Sequence, residues 1–174
     1  MTPEEHFSEV LRELGFDGDP EMARTARQFV EVLRSFRPDA PLPEVGVLES
    51  GVRSELVVVR GLPFWSLCAH HLLPFFGTCT IAYQPGGRIA GLGALPRVLQ
   101  ALARRPQVQE RLADQLADHL VEALDPISLG ARLEARHMCM EMRGACSPGT
   151  LQVLALRGAE NPDLSAALLV GAGS

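Results

Sequence analysis

The sequence predicts an α+β fold from three observations. Apolar residues recur at helical spacing in two early runs and again between Gly93 and Leu124, strand-like runs fall between and after them, and Pro- and Gly-rich stretches mark the boundaries. The order is helices, two strands, two helices, two strands. It makes an antiparallel four-stranded sheet with two long helices on one face, preceded by an N-terminal helical arm. At 174 residues, 47% of them hydrophobic, the chain has the size of one domain with a sizeable core. Residues 1–50 read as arm and linker, and residues 51–174 as the body.

In the arm, Phe7, Val10, Leu11 and Leu14 share one helical face, and Gly15 is the stop. Asp19 before Pro20 joins a cap to a first helical position, and Met22, Ala26, Phe29, Val30 and Leu33 carry a second helix to about Phe36. Pro38, Pro41, Pro43, Gly46 and Gly51 make residues 37–51 a loop. Glu55 to Arg60 is strand-like until Leu62-Pro63 interrupts it, and Phe64-Trp65-Ser66 leads into a turn supported by Pro74. Phe75 to Tyr83 is a strand, Gln84-Pro85-Gly86-Gly87 a turn, and Arg88 to Leu92 the returning arm of a hairpin.

Pro96 suits the first turn of the long helical stretch, and Pro106 divides that stretch after Arg104-Arg105. In the second half Val108, Leu112, Leu116, Leu120 and Leu124 form a stripe for the core or an oligomer seam. Asp125-Pro126 ends it, Gly130 opens a strand, Gly149 to Leu156 supplies the last strand, and Asn161-Pro162 caps a short C-terminal helix.

Composition excludes several classes of function. A net charge of -5 and a pI near 5.5 argue against a nucleic-acid footprint, although local arginines still suit anionic small ligands. No window has the length of a membrane span, and the acidic N-terminus lacks a basic start and an apolar core, so the chain reads as cytoplasmic, without membrane or nucleic-acid partners. Four cysteines do not make a disulfide framework here. All 16 basic residues are arginine.

Chemistry concentrates in Cys68-Ala69-His70-His71 and in the distant His137-Met138-Cys139. Thiolate and imidazole are zinc's preferred ligand types, and a Cys at i reaches the same ion as a His at i+3 only where the backbone turns, because a strand would point them to opposite faces. Cys68, His71 and Cys139 supply three ligands and leave a fourth position open, the mark of a catalytic zinc. His70 and His137 remain free to move protons, and imidazole titrates near neutral pH. Alternation over Ala131–Arg143 predicts a strand with His137, Cys139, Glu141 and Arg143 on one face and Met138, Met140 and Met142 in the core opposite. Cys79 and Cys146 read as packing residues, His6 and His119 as surface residues, and Arg104, Arg105 and Arg111 as a solvated or inter-subunit helix face.

Cys-x-His-His-Leu-x-Pro-Phe-x-Gly, then Pro-Gln-Val-Gln-Glu-Arg-Leu, then His-Met-Cys-Met-x-Met-Arg-Gly, in that order between about Asp19 and Thr150, resembles GTP cyclohydrolase I. The resemblance implies the tunnelling fold, with sheets joined edge to edge into a barrel and a toroidal homo-oligomer, a decamer. It implies zinc on Cys68, His71 and Cys139, and catalytic His70 and His137. It also implies guanine recognition by Glu110 with help from Gln109, and triphosphate binding through Arg97 and Arg143. The implied reaction opens the guanine ring of GTP, releases formate and yields 7,8-dihydroneopterin triphosphate.

Departures from the family pattern concern the nucleotide. Ala69 stands where the family has Glu, and Gly93-Ala94 where it has Ser-Lys, so a carboxylate and a phosphate-binding charge are missing. Ala26 replaces a proline, and Ala145-Cys146-Ser147-Pro148-Gly149 replaces a Thr-rich run. These leave two alternatives: a paralogue acting on another purine nucleotide or stopping at a ring-opened intermediate, and a non-catalytic zinc-stabilised oligomeric binding protein. The nitrile reductase that shares the tunnelling fold is set aside, because its nucleotide motif uses lysines.

Overall fold

The structure, a computed structural model, describes residues 1–16, 18–49, 51 and 55–170. Ser50, at the end of the expected linker, lies outside them. The chain divides into two compact units, Met1–Pro38 and Asp39–Ser174.

The first unit pairs α1 (Pro3–Glu13) with α2 (Thr25–Ser35) through a 3-10 turn at Pro20–Arg24. Thr2 opens α1 with a capping box: Glu5 N–H donates to Thr2 Oγ1 at 3.2 Å and Thr2 N–H to Glu5 Oε2 at 2.7 Å. Asp19 does cap and Pro20 does start a helix, but a 3-10 turn comes before α2. Phe7 stacks on Phe29, and Ala26 and Val30 are buried.

Among the described residues the second unit contains a large sheet and a separate two-stranded one. Its elements are β1 (Val47–Glu49), β2 (Val57–Cys68), β3 (Pro74–Gln84), β4 (Arg88–Ala90), α3 (Ala94–Ala103), β5 (Pro106–Gln107), α4 (Gln109–Leu124), β6 (Ser128–His137), α5 (Met138–Glu141), β7 (Thr150–Gly158) and α6 (Pro162–Leu169). The large sheet has five strands in the order β5-β2-β3-β6-β7, rather than four. The strands β2, β3, β6 and β7 are antiparallel, and β5 adds a short parallel edge at Leu67 and Cys68. That extra strand follows from Pro106, which disfavours helix at the residue before it and leaves the chain extended past Cys68.

Core packing follows strand alternation. Cys79, Ile81 and Tyr83 of β3 and Leu129, Ala131, Leu133 and Ala135 of β6 face Leu95, Leu99 and Leu102 of α3 and the Leu112, Leu116, Leu120 and Leu124 stripe of α4. The helix α6 packs against the other side of the sheet, where Leu164 and Leu168 meet Ala82.

Three local expectations need correction. Leu62-Pro63 does not end β2, which continues through a register shift between Val59 and Leu62, and Pro63 is tolerated at that irregularity. The strand β4 does not return along β3 but pairs with β1, inside the expected loop; Ala90 N–H then donates to Tyr83 Oη at 3.0 Å. The strand β6 stops at His137, and residues 138–141 make one helical turn. Period-two alternation also fits a short helix, so it could not locate that end. Met142 is consequently 63% exposed, not core.

Candidate active site

The end of β2 and the start of α5 bring the two half-sites together. The chain reverses over residues 69–73 in a hairpin loop closed by Cys68 N–H to Leu73 O and Leu72 N–H to Cys68 O, both at 2.8 Å. Leu72 takes a left-handed conformation, φ 54°, which costs an ordinary side chain about 1–2 kcal/mol. This bend puts Cys68 and His71 on one side, with Cys68 Sγ 3.6 Å from His71 Nδ1. The β5 edge steadies the turn, since Ala69 N–H donates to Gln107 O at 2.8 Å.

Ending β6 at His137 brings Cys139 up to Cys68 and His71. One donor atom from each of Cys68, His71 and Cys139 lies within 4.8 Å of the others. Two thiols and an imidazole at that spacing are a donor set that fits zinc. Burial, with the nearby sulfur of Cys68, pushes the Cys139 thiol up from its ordinary value, and the charge of Arg143 pulls it down. The exposed His70 joins the cluster, its Nδ1 3.9 Å from Cys68 Sγ.

His137 is held by two residues. Its ring lies on Phe75, its Nε2 is 2.7 Å from Gln109 Oε1, and the β3–β6 register pairs it with Phe75. Burial lowers its pKa from the usual imidazole value, and the negative charge of Glu110 opposes that shift. Glu110 itself is exposed in the first turn of α4, while Gln109 is 1% exposed. The Gln109 amide nitrogen donates to Leu133 O at 3.0 Å and to Leu151 O at 3.1 Å. Sequence reasoning missed the Gln109–His137 contact and the Phe75 platform. The adjacent motifs carry both residues, but nothing in their spacing reveals that α4 and β3 meet at one ring.

The two arginines differ in placement. Arg143 is exposed just beyond α5, close enough to Cys139 for its charge to act on the thiol. Arg97 is exposed on α3, in a surface hollow with Pro41, Leu42, Pro43 and Gln100. A Cβ at Gly93 would stand 3.0 Å from Arg97 Nη1, so glycine leaves room for that guanidinium at the helix start. Ala94 is 1% exposed and belongs to the core. Arg136, one residue before His137, forms a two-pronged ion pair with Glu141 that ties α5 to β6.

Comparison with known proteins agrees with these motifs. Residues 3–169 match the profile of a family described as GTP cyclohydrolase I. The GTP cyclohydrolase 1 of Janthinobacterium sp. (strain Marseille) is 44% identical over 151 residues, covering 83% of this chain and 76% of that protein. That of Aquifex aeolicus (strain VF5) is 49% identical over 136 residues, 78% of this chain and 72% of its own. Among solved structures, an archaeosine synthase QueF-Like in the apo form superposes with a TM-score of 0.51 at 16% identity, covering 62% of this chain and 98% of that one. At that identity the likeness concerns the fold alone.

Proposed function

The chain belongs to the GTP cyclohydrolase I family, and from that premise we propose that it converts GTP to 7,8-dihydroneopterin triphosphate with release of formate. The observation that carries this reading is the convergence of Cys68, His71 and Cys139 within 4.8 Å, with His70 and His137 beside them. Those three residues would hold Zn2+, which supplies the Lewis acidity that makes water a nucleophile near neutral pH. His137, whose pKa burial lowers against the opposing charge of Glu110, is the main proton donor while the purine ring opens. His70, exposed at the mouth of the turn, shuttles the second proton.

Glu110 accepts from the N1 and N2 donors of guanine; its exposure beside His137 supports that role. Arg143 and Arg97 bind the triphosphate as charge-assisted donors. Arg143 already acts electrostatically on the metal-site thiol, which supports its share of that role. For the assembly we take the family's tunnelling fold and decamer. Leu151, Leu154 and Leu156 are exposed along the edge strand β7, an apolar edge suited to pairing with another copy. We assign it to the cytoplasm, where thiols stay reduced: the four cysteines are free, and two of them are needed as ligands. No described helix is long and apolar enough to cross a membrane.

The test is zinc-replete protein incubated with GTP, GDP, GMP and ATP, with formate and pterin products identified by mass. Formate and dihydroneopterin triphosphate from GTP are expected. Bound zinc without formate from any purine nucleotide would overturn the reading and favour a non-catalytic binding protein. The uncharged Gly93-Ala94 pair motivates one second reading, a paralogue for another purine nucleotide, which preferential turnover of GMP or GDP would support.

A further inference from the structure

We propose that Gln109 is a positioning residue for His137, fixing its imidazole with hydrogen on Nε2, the tautomer that leaves Nδ1 as the ring nitrogen available to the substrate. This rests on the functional reading above and deepens it. Both amide N–H groups of Gln109 are committed to main-chain carbonyls, Leu133 O at 3.0 Å and Leu151 O at 3.1 Å, on neighbouring strands. Turning the amide over would set its oxygen against both carbonyls and leave its donors without acceptors, so the network itself assigns oxygen to the His137 side. That oxygen, 2.7 Å from His137 Nε2, can only accept, and the ring must therefore donate there.

Rigidity makes this a positioning device. Gln109 is 1% exposed at the first residue of α4, so the helix start, β6, β7 and the ring share one buried amide. Phe75 fixes the plane of the imidazole and Gln109 fixes its rotation within that plane. With both donors satisfied by the main chain and its oxygen aimed at His137, this side chain is taken up by the protein rather than by a base edge. The guanine contact would then fall to the exposed Glu110 alone.

Two measurements on the zinc-loaded enzyme test the idea. The first is the 15N spectrum of labelled histidine at alkaline pH, with His137 identified by the signal lost in His137→Asn. Protonated Nε2 and bare Nδ1 are expected; the opposite tautomer, or an even mixture, overturns the proposal even if the protein never turns over GTP. The second compares wild type with Gln109→Met, which keeps length and volume but removes the acceptor and donors. We expect kcat to fall about ten- to hundredfold with KM for GTP changed less than about threefold, as for other residues that orient a functional group. A rise in KM with kcat intact would make Gln109 a base contact and overturn the proposal. Lack of GTP turnover by wild type would instead count against the functional reading, and the tautomer measurement would still decide this one.

Discussion

The imidazole of His137 lies flat on the ring of Phe75, with centroids 4.7 Å apart and planes 3° from parallel. Phe75 is fully buried and meets Phe64 edge-on at 6.0 Å, so the platform is anchored in the core. Phe75→Leu keeps most of the apolar volume but removes the flat surface. It should cost about 1–2 kcal/mol of stability in denaturant unfolding. It should also lower kcat for formate release, because the ring gains freedom to tilt. Unchanged kcat in a folded, zinc-loaded variant would show that stacking does not hold the catalytic geometry.

The four thiols should react in three classes with an alkylating reagent. Cys146, expected from the sequence to be a packing residue, is instead exposed and should react at once. Cys68 and Cys139 should be protected by zinc and become reactive after chelation, because a coordinated thiolate is not free to attack. Cys79 is fully buried and its thiol is pushed far up by burial, so it should react only on unfolding. Mass mapping of the labelled cysteines reads all three classes, and labelling of Cys79 in the folded protein would contradict its place in the core.

Gly77 explains the glycine that closes the first motif. A Cβ there would collide with the backbone carbonyl of Glu134 and come within 2.7 Å of Ala135 Cα. Backbone cannot yield as a side-chain tip does, so Gly77→Ala must push β3 and β6 apart next to the Phe75–His137 pair. The expected result is a loss of more than about 2 kcal/mol, seen as a large fall in Tm or as insoluble protein. A Tm equal to that of wild type would mean the two strands separate more easily than their register implies.

The Cys68, His71 and Cys139 cluster is legible in the sequence because which side chains could take a metal depends on residue type and on a turn, and Pro74 after Cys-x-x-His signals that turn. The Leu112-to-Leu124 stripe is legible for a similar reason, since a helical period repeats within one element. Pairings made at a distance are not. The β1–β4 ladder and the β5 edge each involve two or three residues, too few to carry a period. The switch from β6 to α5 also escapes pattern reading, since His137-Met138-Cys139-Met140 alternates whether it is strand or helix. Gln109 is harder still: its role arises from where β6 and β7 present two carbonyls, which the order of side chains does not encode.

Arg143 should govern how tightly the apo protein takes up zinc as pH changes. Coordination requires Cys139 as thiolate, whereas burial and the neighbouring Cys68 sulfur raise its pKa in the metal-free fold. A raised thiol pKa means that a proton competes with the metal, so zinc affinity should climb with pH, by up to about tenfold per unit for each proton released. Arg143 lowers that pKa, and Arg143→Gln should therefore move the whole binding curve to higher pH. Arg143 is exposed, so the displacement should shrink as salt is added. Zinc titrations with a competing chelator from pH 6 to 9, at low and high salt, measure it. Coincident curves for wild type and variant at low salt would show that the guanidinium does not act on the metal-site thiol.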